Sequence, residues 1–279
     1  AGDVVDGLTG VLDDGRTGTA PAATRPWRLH PVAAPVFRSA NPRTLAPAAV
    51  GGNLKIASVN LQNFFTAFSD GGGTSDGCLQ GGVVARSHCR GADNAAEFAR
   101  QQAKLVAALA AIDADAVGLM ELQNNGNVAL QSLADALNAR LGAGTYAAGA
   151  LPANTGADTG TGTDAIRVGL LYKPAMLQPV GVPRSDADPV HHRPPLAQAF
   201  RRTGAAPGSP TLTLVVSHFK SKGGCPAPDT PEAAADADRG DGQACWNATR
   251  VRQARRLAAF VAAQQAAGTA GPDVLLIGD

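Results

Sequence analysis

The sequence predicts an α/β fold, because strand-like and helix-like segments alternate along the chain from Leu54 onward. Four apolar runs have the length of a buried strand, and each is followed by a polar residue: Asn60, Glu121, His218 or Asp279. Stretches between these runs place apolar residues three or four positions apart, which is typical of helices packed on a sheet. Since polar residues that follow such strands gather at one rim of a sheet, the four are predicted to share a site.

The bulk composition fits a globular protein and excludes a few classes. The chain has 279 residues, enough for one large domain or one domain with an appendage. Hydrophobic residues make up 44% of it, and no apolar run is long enough to span a bilayer, so we expect no membrane insertion. The formal net charge is +1, so binding of a polyanion would depend on local rather than global charge.

Residues 1–50 differ from the rest of the chain. The segment Val4–Leu12 mixes apolar residues with glycines and predicts a short hairpin, and six prolines between positions 21 and 47 predict extended linker chain. We interpret residues 1–50 as the end of a preceding β-rich module plus a Pro-rich linker, with a disordered arm as the alternative. Residues 51–279 are then the main domain.

Three segments of the main domain have helical periodicity. Asp93 is predicted to cap a helix whose apolar face runs from Phe98 to Ile112. A row of leucines from Leu130 to Leu141 predicts a second helix, which Gly142 ends. The segment Thr249–Gln264 predicts a third, with Val251, Leu257 and Phe260 facing inward.

The other segments are predicted strands and loops. Residues 165–172 are predicted to form a strand, and the last apolar run, Val274–Ile277, is predicted to be a buried strand. Residues 183–210 have no periodicity and many prolines, and we predict a loop there. Two long loops, 66–92 and 219–247, follow strands that carry candidate residues and are predicted to form the rim of the site.

All four cysteines lie in loops rich in glycine, proline and polar residues: Cys78, Cys89, Cys225 and Cys245. We predict local disulfides, 78 with 89 and 225 with 245, because each would lower the unfolded-state entropy of one long loop. Four thiols allow three connectivities, and a zinc site or free cytosolic thiols are the alternatives, although no Cys-x-x-Cys spacing occurs. Disulfides would indicate an oxidising compartment.

Glu121 is the strongest candidate for a metal ligand, because it follows an unbroken apolar strand and would emerge beside dry core. A hard cation such as Mg²⁺, or alternatively Mn²⁺ or Ca²⁺, binds one or two carboxylates and keeps other positions for water and phosphate oxygens. The amide of Asn60 would bind the metal through its oxygen or a phosphate through its nitrogen. A solvated glutamate and a turn asparagine are the alternative interpretations, which the shared position after a strand weakens.

His218 begins a basic segment that suits a phosphate. Its imidazole would donate to a phosphate oxygen or move a proton, while Lys220 and Lys222 supply positive charge. The alternative is a surface histidine on a basic loop. The glycines that follow at positions 223 and 224 favour close approach of the backbone to a ligand.

Asp279 and Arg250 complete the candidates. Asp279 is predicted to orient an attacking water or to bind a second metal ion. Arg250 lies on a basic helix face, which is more typical of a solvated surface than of a phosphate contact. His191 and His192 lie in a proline-rich loop, and we predict no function for either.

Four segments, taken in order, carry a family resemblance: Lys55–Phe64, Gly118–Gln123, Ser217–Gly223 and Leu275–Asp279. They resemble the endonuclease/exonuclease/phosphatase superfamily, and within it the extracellular nucleases of bacteria of the ExeM/NucH type. The resemblance covers residues 52–279. The opening segment Gly2–Val11 is similar to the stretch before the nuclease domain in that group, which follows an OB-like or β-rich module. Each motif alone is weak, but four in order are fairly specific for the superfamily.

The resemblance implies a four-layer αββα sandwich and metal-dependent hydrolysis of phosphodiester bonds in DNA or RNA. It implies that Glu121 binds the metal and that Asn60 supports the metal or the phosphate. It also implies that His218 polarises the scissile phosphate and that Asp279 positions the water, with Asp164 near the site. A nuclease of this group is secreted by a bacterium or held at its surface, and the sequence does not indicate its oligomeric state.

The family pattern continues beyond Asp279 with an asparagine two residues later and a closing Asp-His pair. We therefore expect a C-terminally truncated fold, inactive or nearly so, whose extended form is active. A lipid phosphodiesterase or phosphatase of the same superfamily is one alternative, and a non-catalytic nucleic-acid-binding surface module is another. The long loops are rich in Gly, Asp, Pro and Lys, which favours a soluble polyanion over a membrane interface.

Overall fold

The computed structural model describes residues 2–15, 27–40, 44, 46–152 and 161–279. It divides into two compact units, Ala1–Ala48 and Ala49–Asp279. Much of the predicted Pro-rich linker, residues 16–26 and 41–43, lies outside the described residues. No helix among the residues described is both long and apolar enough to cross a membrane.

The first unit contains one antiparallel pair of strands, β1 (Gly10–Asp14) and β2 (Trp27–Pro31). The hairpin predicted within Val4–Leu12 is wrong, because the partner of β1 comes later in the chain. The antiparallel pairing places apolar residues of the two strands opposite each other, as with Leu12 and Leu29.

The second unit alternates strands and helices only in part, because five strands follow one another after its second long helix. Its elements in chain order are β3 (Ile56–Phe64), β4 (Cys78–Gln80), β5 (Val83–Ala85), a 3₁₀ turn (Arg86–His88), α1 (Ala95–Ile112), β6 (Ala116–Gln123), α2 (Val128–Leu141), β7 (Ala147–Ala148), β8 (Ile166–Tyr172), β9 (Leu177–Ser185), β10 (Leu196–Arg202), β11 (Leu212–Ser217), α3 (Ala233–Asp236), α4 (Asn247–Ala266) and β12 (Asp273–Gly278).

Two four-stranded sheets, each with helices on its outer face, form an αββα sandwich and confirm the predicted fold class. The first sheet has the order β3-β6-β8-β7 and the second β12-β11-β10-β9. Leucines of α1 and α2, among them Leu109 and Leu133, pack on the outer face of the first sheet. Leu257 and Phe260 of α4 pack on the second sheet, beside Val215. Because successive side chains of a strand point to opposite faces, each sheet contributes to two apolar layers, one under the helices and one between the sheets.

The layer between the sheets is filled by inward-facing residues of both: Ala116, Met120, Val168, Leu170, Leu177, Leu196, Phe200, Leu214 and Val216. Gly118 lies in the same row of β6, at a point where the two sheets approach closely. A Cβ atom at that position would lie 2.5 Å from Cδ1 of Ile277 and 2.9 Å from Cγ2 of Val216. Only a glycine lets β6 and β12 come this close.

The start of α1 differs by one residue from the prediction, which placed the cap at Asp93. The cap is Asn94, whose Oδ1 accepts from the Glu97 N–H at 3.1 Å, while the Asp93 N–H donates to Glu97 Oε2 at 3.0 Å. The bond from the Glu97 N–H to the Asn94 side chain identifies Asn94 as the cap, and Glu97 in turn accepts from the residue before the cap.

The predicted loop at 183–210 is wrong, because β9 extends to Ser185 and β10 spans Leu196–Arg202. The core of β10 reads Ala197-Gln198-Ala199, three small or polar residues that give little hydrophobic signal, yet all are buried between covered faces of the sheet.

Two other predicted burials are also wrong. Val251 is 40% exposed, and β12 is an edge strand in which Leu275 is 38% and Leu276 50% exposed.

Candidate functional site

A bulge in β6 places Glu121. Leu119 lies opposite Gly169 of β8 and Leu122 lies opposite Arg167, so β6 has one residue more than its partner between these pairs. Leu119 and Leu122 both face the helix layer, and the extra residue turns Glu121 away from it. Glu121 has a φ of 63°, which is uncommon for a residue with a side chain and typical of functional sites. The prediction that the strand ends at Glu121 is therefore wrong, because β6 continues to Gln123.

A second bulge, in the neighbouring strand β3, faces the first. Asn60 pairs with Met120 and Phe64 with Leu122, so β3 carries two extra residues between these pairs. Gln62 and Asn63 have φ values of 53° and 56°, in the left-handed region. This turn directs the Asn63 N–H at Glu121 Oε2, 2.9 Å away. β3 also continues past Asn60, to Phe64, which corrects the predicted strand end.

The amide of Asn60 joins carboxylates from the two sheets. Its Nδ2 donates to Glu121 Oε1 and to Asp279 Oδ2, both at 2.8 Å. Its Oδ1 accepts from the Gln62 N–H at 2.8 Å, and because a backbone N–H can only donate, this bond fixes the orientation of the amide. Asn60 therefore presents its nitrogen to the acids and orients them, while its oxygen keeps a second lone pair, so its role as a metal ligand stays a prediction.

His218 closes the site from the second sheet. It follows β11, on the side of Leu214 and Val216, so its ring lies between the sheets and only 8% of the residue is exposed. Its Nδ1 is buried, with no hydrogen-bond partner among the described residues. Burial lowers the pKa of His218 and the charge of Arg193 lowers it further, while the charges of Asp279 and Glu121 oppose both. The imidazole is therefore neutral at pH 7.

Sequence reasoning missed Arg193, which lies in the region predicted to be a loop. Its side chain is 10% exposed, and it donates through Nε to the His218 carbonyl at 3.3 Å and through NH2 to the Phe219 carbonyl at 2.6 Å. Its NH1 also lies 3.3 Å from Asp164 Oδ2. The available signal was weak: a lone cation between two histidines and two prolines.

Asp164 lies beside this cluster with both oxygens engaged. Its Oδ1 accepts from Arg90 NH2 at 2.7 Å and from the Ile166 N–H at 3.2 Å, while Oδ2 faces Arg193. A carboxylate that contacts two guanidinium groups suits holding Arg193 in place.

The predicted phosphate-binding cations occupy different surroundings. Lys220 Nζ lies 4.5 Å from the centre of the Trp246 ring, and Lys222 is exposed. Arg250 is directed at backbone carbonyls: it donates to Cys245 O at 2.8 Å, Gln243 O at 2.7 Å and Lys220 O at 3.4 Å. Arg250 therefore holds the loop before α4, and its guanidinium is not turned towards the acids.

Both cysteine couples form disulfides. Cys78 bonds to Cys89 with a Cα–Cα distance of 5.0 Å, and Cys225 bonds to Cys245 with 5.2 Å. These are the two local pairings predicted above.

The acids fit a divalent cation by their chemistry. Within the described residues, no group of three or more His, Cys, Asp or Glu side chains is arranged to hold a metal ion. Two carboxylates, Glu121 and Asp279, meet at one amide, and each carboxylate oxygen has more than one lone pair. A pair of carboxylates suits Mg²⁺, which keeps several waters in its shell. Glu121 and Asp279 are therefore the residues that would hold it.

Comparisons with known proteins add the following. No protein-family model and no curated protein sequence matches the chain. Among solved structures it is similar to humanized D. rerio TDP2, with a TM-score of 0.40 and 15% identity over 81% of this chain and 60% of that one. TDP2 from C. elegans gives 0.38 and 13%, over 67% and 44%. An endonuclease/exonuclease/phosphatase family protein from Bacteroides thetaiotaomicron gives 0.30 and 11%, over 46% and 48%.

The chain thus spans 60% or less of the length of these three solved structures.

Proposed function

We propose that the second unit is a metal-dependent phosphodiesterase that hydrolyses nucleic acid, DNA or RNA. The observation that carries the proposal is the convergence of Glu121 and Asp279, from different sheets, on the amide of Asn60 beside the neutral ring of His218. Paired acids suit a hard cation, whereas an imidazole and a buried arginine within reach of them suit a phosphate anion.

Each residue has a distinct task in this reaction. A bound divalent cation supplies positive charge against the developing charge on the phosphate oxygens. Asn60 keeps the two acids oriented, and Asp279 orients the attacking water. His218 is neutral and donates a hydrogen bond to a non-bridging oxygen. Arg193 adds a fixed positive charge behind His218, and this charge also keeps the imidazole from taking up a proton.

The setting of the site supports a soluble, exported nuclease. Lys222 is exposed on the loop after His218, where it can meet the phosphate backbone of a polymer. Two disulfides support an oxidising location, so we place the protein outside a bacterial cell or at its surface. Mg²⁺ is the first choice of metal, and Mn²⁺ or Ca²⁺ are tested beside it.

The test uses the full-length protein that carries this chain. Hydrolysis of a fluorescently labelled oligonucleotide is measured with Mg²⁺, with Mn²⁺, with Ca²⁺ and with EDTA. Glu121→Ala is expected to lower kcat by about 10³-fold, since it removes a charged group from the centre of the site. EDTA is expected to abolish turnover. The variant should retain most of its affinity for DNA, because Lys222 and the neighbouring cations remain.

A matched control is Glu232→Ala, which removes an exposed glutamate from the loop before α3 and should leave kcat unchanged. Calorimetric titration with Mn²⁺ gives a second measurement, and Glu121→Ala should weaken binding. Unchanged hydrolysis in Glu121→Ala would overturn the proposal. DNA binding without turnover would instead support a binding module, and turnover confined to phospholipids would support a lipid phosphodiesterase.

A further inference from the structure

An aromatic residue with two basic neighbours lies directly beside the candidate active site. The ammonium of Lys220 is 4.5 Å from the centre of the Trp246 ring, and the ring of His192 meets the indole edge-on with centroids 6.4 Å apart. Lys220 is two residues from His218, and His192 is the neighbour of Arg193, which donates to the His218 carbonyl. The two side chains that contact the indole thus come from the segments that also carry His218 and Arg193.

The backbone holds Trp246 in an unusual conformation. Its φ is 66°, in the left-handed region that bulky residues rarely adopt. Its N–H donates to the Asp236 carbonyl at 2.8 Å, and its indole N–H donates to the Gly224 carbonyl at 2.6 Å. The disulfide Cys225–Cys245 ties together the residues next to Gly224 and Trp246. Such strain persists only where surrounding contacts determine it, and it clusters at ligand sites.

Lys220 is fixed in the same way. Its N–H donates to Gln253 Oε1 at 2.9 Å, and its carbonyl accepts from Arg250 at 3.4 Å. Arg193 donates to the carbonyl of Phe219, the residue before Lys220, so the two cations share one neighbourhood, and burial and the charge of Arg193 both lower the pKa of Lys220. A pair of close cations attracts a phosphate group more strongly than either does alone.

We propose that Trp246, Lys220 and His192 form a subsite for the nucleotide next to the scissile phosphate, with its base stacked on the indole and its phosphate bound by Lys220. This inference rests on the proposed function and narrows its substrate to single-stranded or unpaired nucleic acid, because a base inside a duplex has no free face to stack. Stacking on an aromatic side chain tolerates every base, so the subsite selects for an unpaired strand rather than for a sequence.

Binding is tested by fluorescence of the single indole at the subsite. The chain contains two tryptophans, so Trp27→Phe leaves Trp246 as the only one within it. This variant of Ala1–Asp279 is titrated in EDTA with oligothymidylate and with an abasic strand of equal length and charge. We expect quenching by oligothymidylate and affinity about 5- to 100-fold weaker for the abasic strand. Equal quenching and equal affinity for the two strands would overturn the subsite.

Substitutions give a second, independent measurement on the full-length protein. Trp246→Leu is expected to raise KM for a single-stranded oligonucleotide about 5- to 100-fold, and Trp246→Phe should recover much of that loss because it keeps a ring. Methyl p-nitrophenyl phosphate carries no base, so its hydrolysis should change less. Thermal melts and thiol counts show whether the variants fold and keep the disulfide. An unchanged KM for the oligonucleotide in a folded Trp246→Leu protein would also overturn the subsite.

The two proposals fail in distinguishable ways. If no phosphodiester is hydrolysed by the wild-type protein, the proposed function fails, and the fluorescence titration still decides whether Trp246 binds bases. If the small ester is hydrolysed but abasic and base-bearing strands behave alike, the catalytic proposal stands and the subsite falls.

Discussion

The Cys78–Cys89 disulfide lies in an apolar cluster, whereas Cys225–Cys245 closes a loop that is mostly exposed and is built around a buried carboxylate. In the first region Cys78 packs with Phe65 and Ile166, and Gln123 Oε1 accepts from the Thr66 and Ala67 N–H groups at 2.8 and 3.0 Å.

In the second region Asp236 is fully buried and accepts from the Thr249 N–H at 2.7 Å and from the Thr249 hydroxyl at 2.6 Å. Both couples gave the same sequence signal, two cysteines in a Gly-rich loop. The spacing of cysteines therefore does not reveal whether a loop supports the core or positions a side chain.

The largest effect is expected from removal of the first disulfide. Cys78→Ala with Cys89→Ala should lower the free energy of unfolding by about 3–5 kcal/mol, because the cross-link and its core contacts are both lost. Chain entropy alone would make the second disulfide the more stabilising one, because the sequence separations of the two pairs are 11 and 20 residues. Urea denaturation of both double variants decides between burial and entropy, and a larger loss for the second pair would contradict our ranking.

The next largest effect is expected at Gln123, the uncharged side chain that holds the backbone of the first region. Gln123→Leu keeps the volume of the side chain but leaves the buried Thr66 and Ala67 N–H groups without their acceptor, so we expect a loss of about 2–4 kcal/mol. The control is Gln131→Leu on the exposed surface of α2, which should change stability by less than about 0.5 kcal/mol. Equal melting temperatures for the two variants would contradict this role of Gln123.

Asp236, the buried carboxylate of the second region, should make the stability of that region depend on pH. Burial raises the pKa of Asp236, but the bonds from Thr249 and Arg252 outweigh it and hold the pKa below its ordinary value of 3.8. A carboxyl whose folded pKa is depressed stabilises the fold above its unfolded pKa and loses that contribution as pH falls through the folded value. In the Trp27→Phe background, Trp246 emission should therefore change below about pH 4.

The control for this titration is Asp236→Asn, which keeps the shape but cannot ionise. It should lose about 1–3 kcal/mol at pH 7 and remove the acid transition of Trp246. An unaltered transition in this variant would assign the titration to another group.

The smallest effect on stability is expected from Cys225→Ala with Cys245→Ala, below about 2 kcal/mol, since an exposed loop opens locally without unfolding the sheets. The same variant should loosen Trp246, which hydrogen exchange of the Trp246 amide would detect as faster exchange. Slow exchange together with a large loss of stability would show that the second disulfide, and not the first, supports the core.

The sequence predicts the layers of this fold well, because β6 and β11 carry nearly unbroken apolar runs and α2 carries a regular row of leucines. It does not predict the two bulges. A run of apolar residues that ends in Asn60 or Glu121 is the same whether the strand stops or bends there. Only Asn63, a residue type that tolerates left-handed backbone, gave a local hint.

The surroundings of the site could not be predicted for a different reason. Arg193 meets His218 across 25 residues, and Lys220 lies over Trp246 across 26, so neither contact leaves a periodic trace in the chain. The strand order places these loops together, and no short segment encodes that order. Asn60 was predicted as a candidate from its position, but the orientation of its amide follows from the Gln62 N–H, which only the folded turn supplies.

The close approach at Gly118 has a consequence for the acids above it. Glu121 follows Gly118 on one sheet, and Asp279 follows Ile277 on the other, so the gap between these two strands sets how far apart the carboxylates stand. A methyl group at position 118 would push the two sheets apart and increase the distance between the carboxylates of Glu121 and Asp279. Under the proposed function, the absence of a Cβ atom at Gly118 would therefore set the radius of the cation that fits between the two carboxylates.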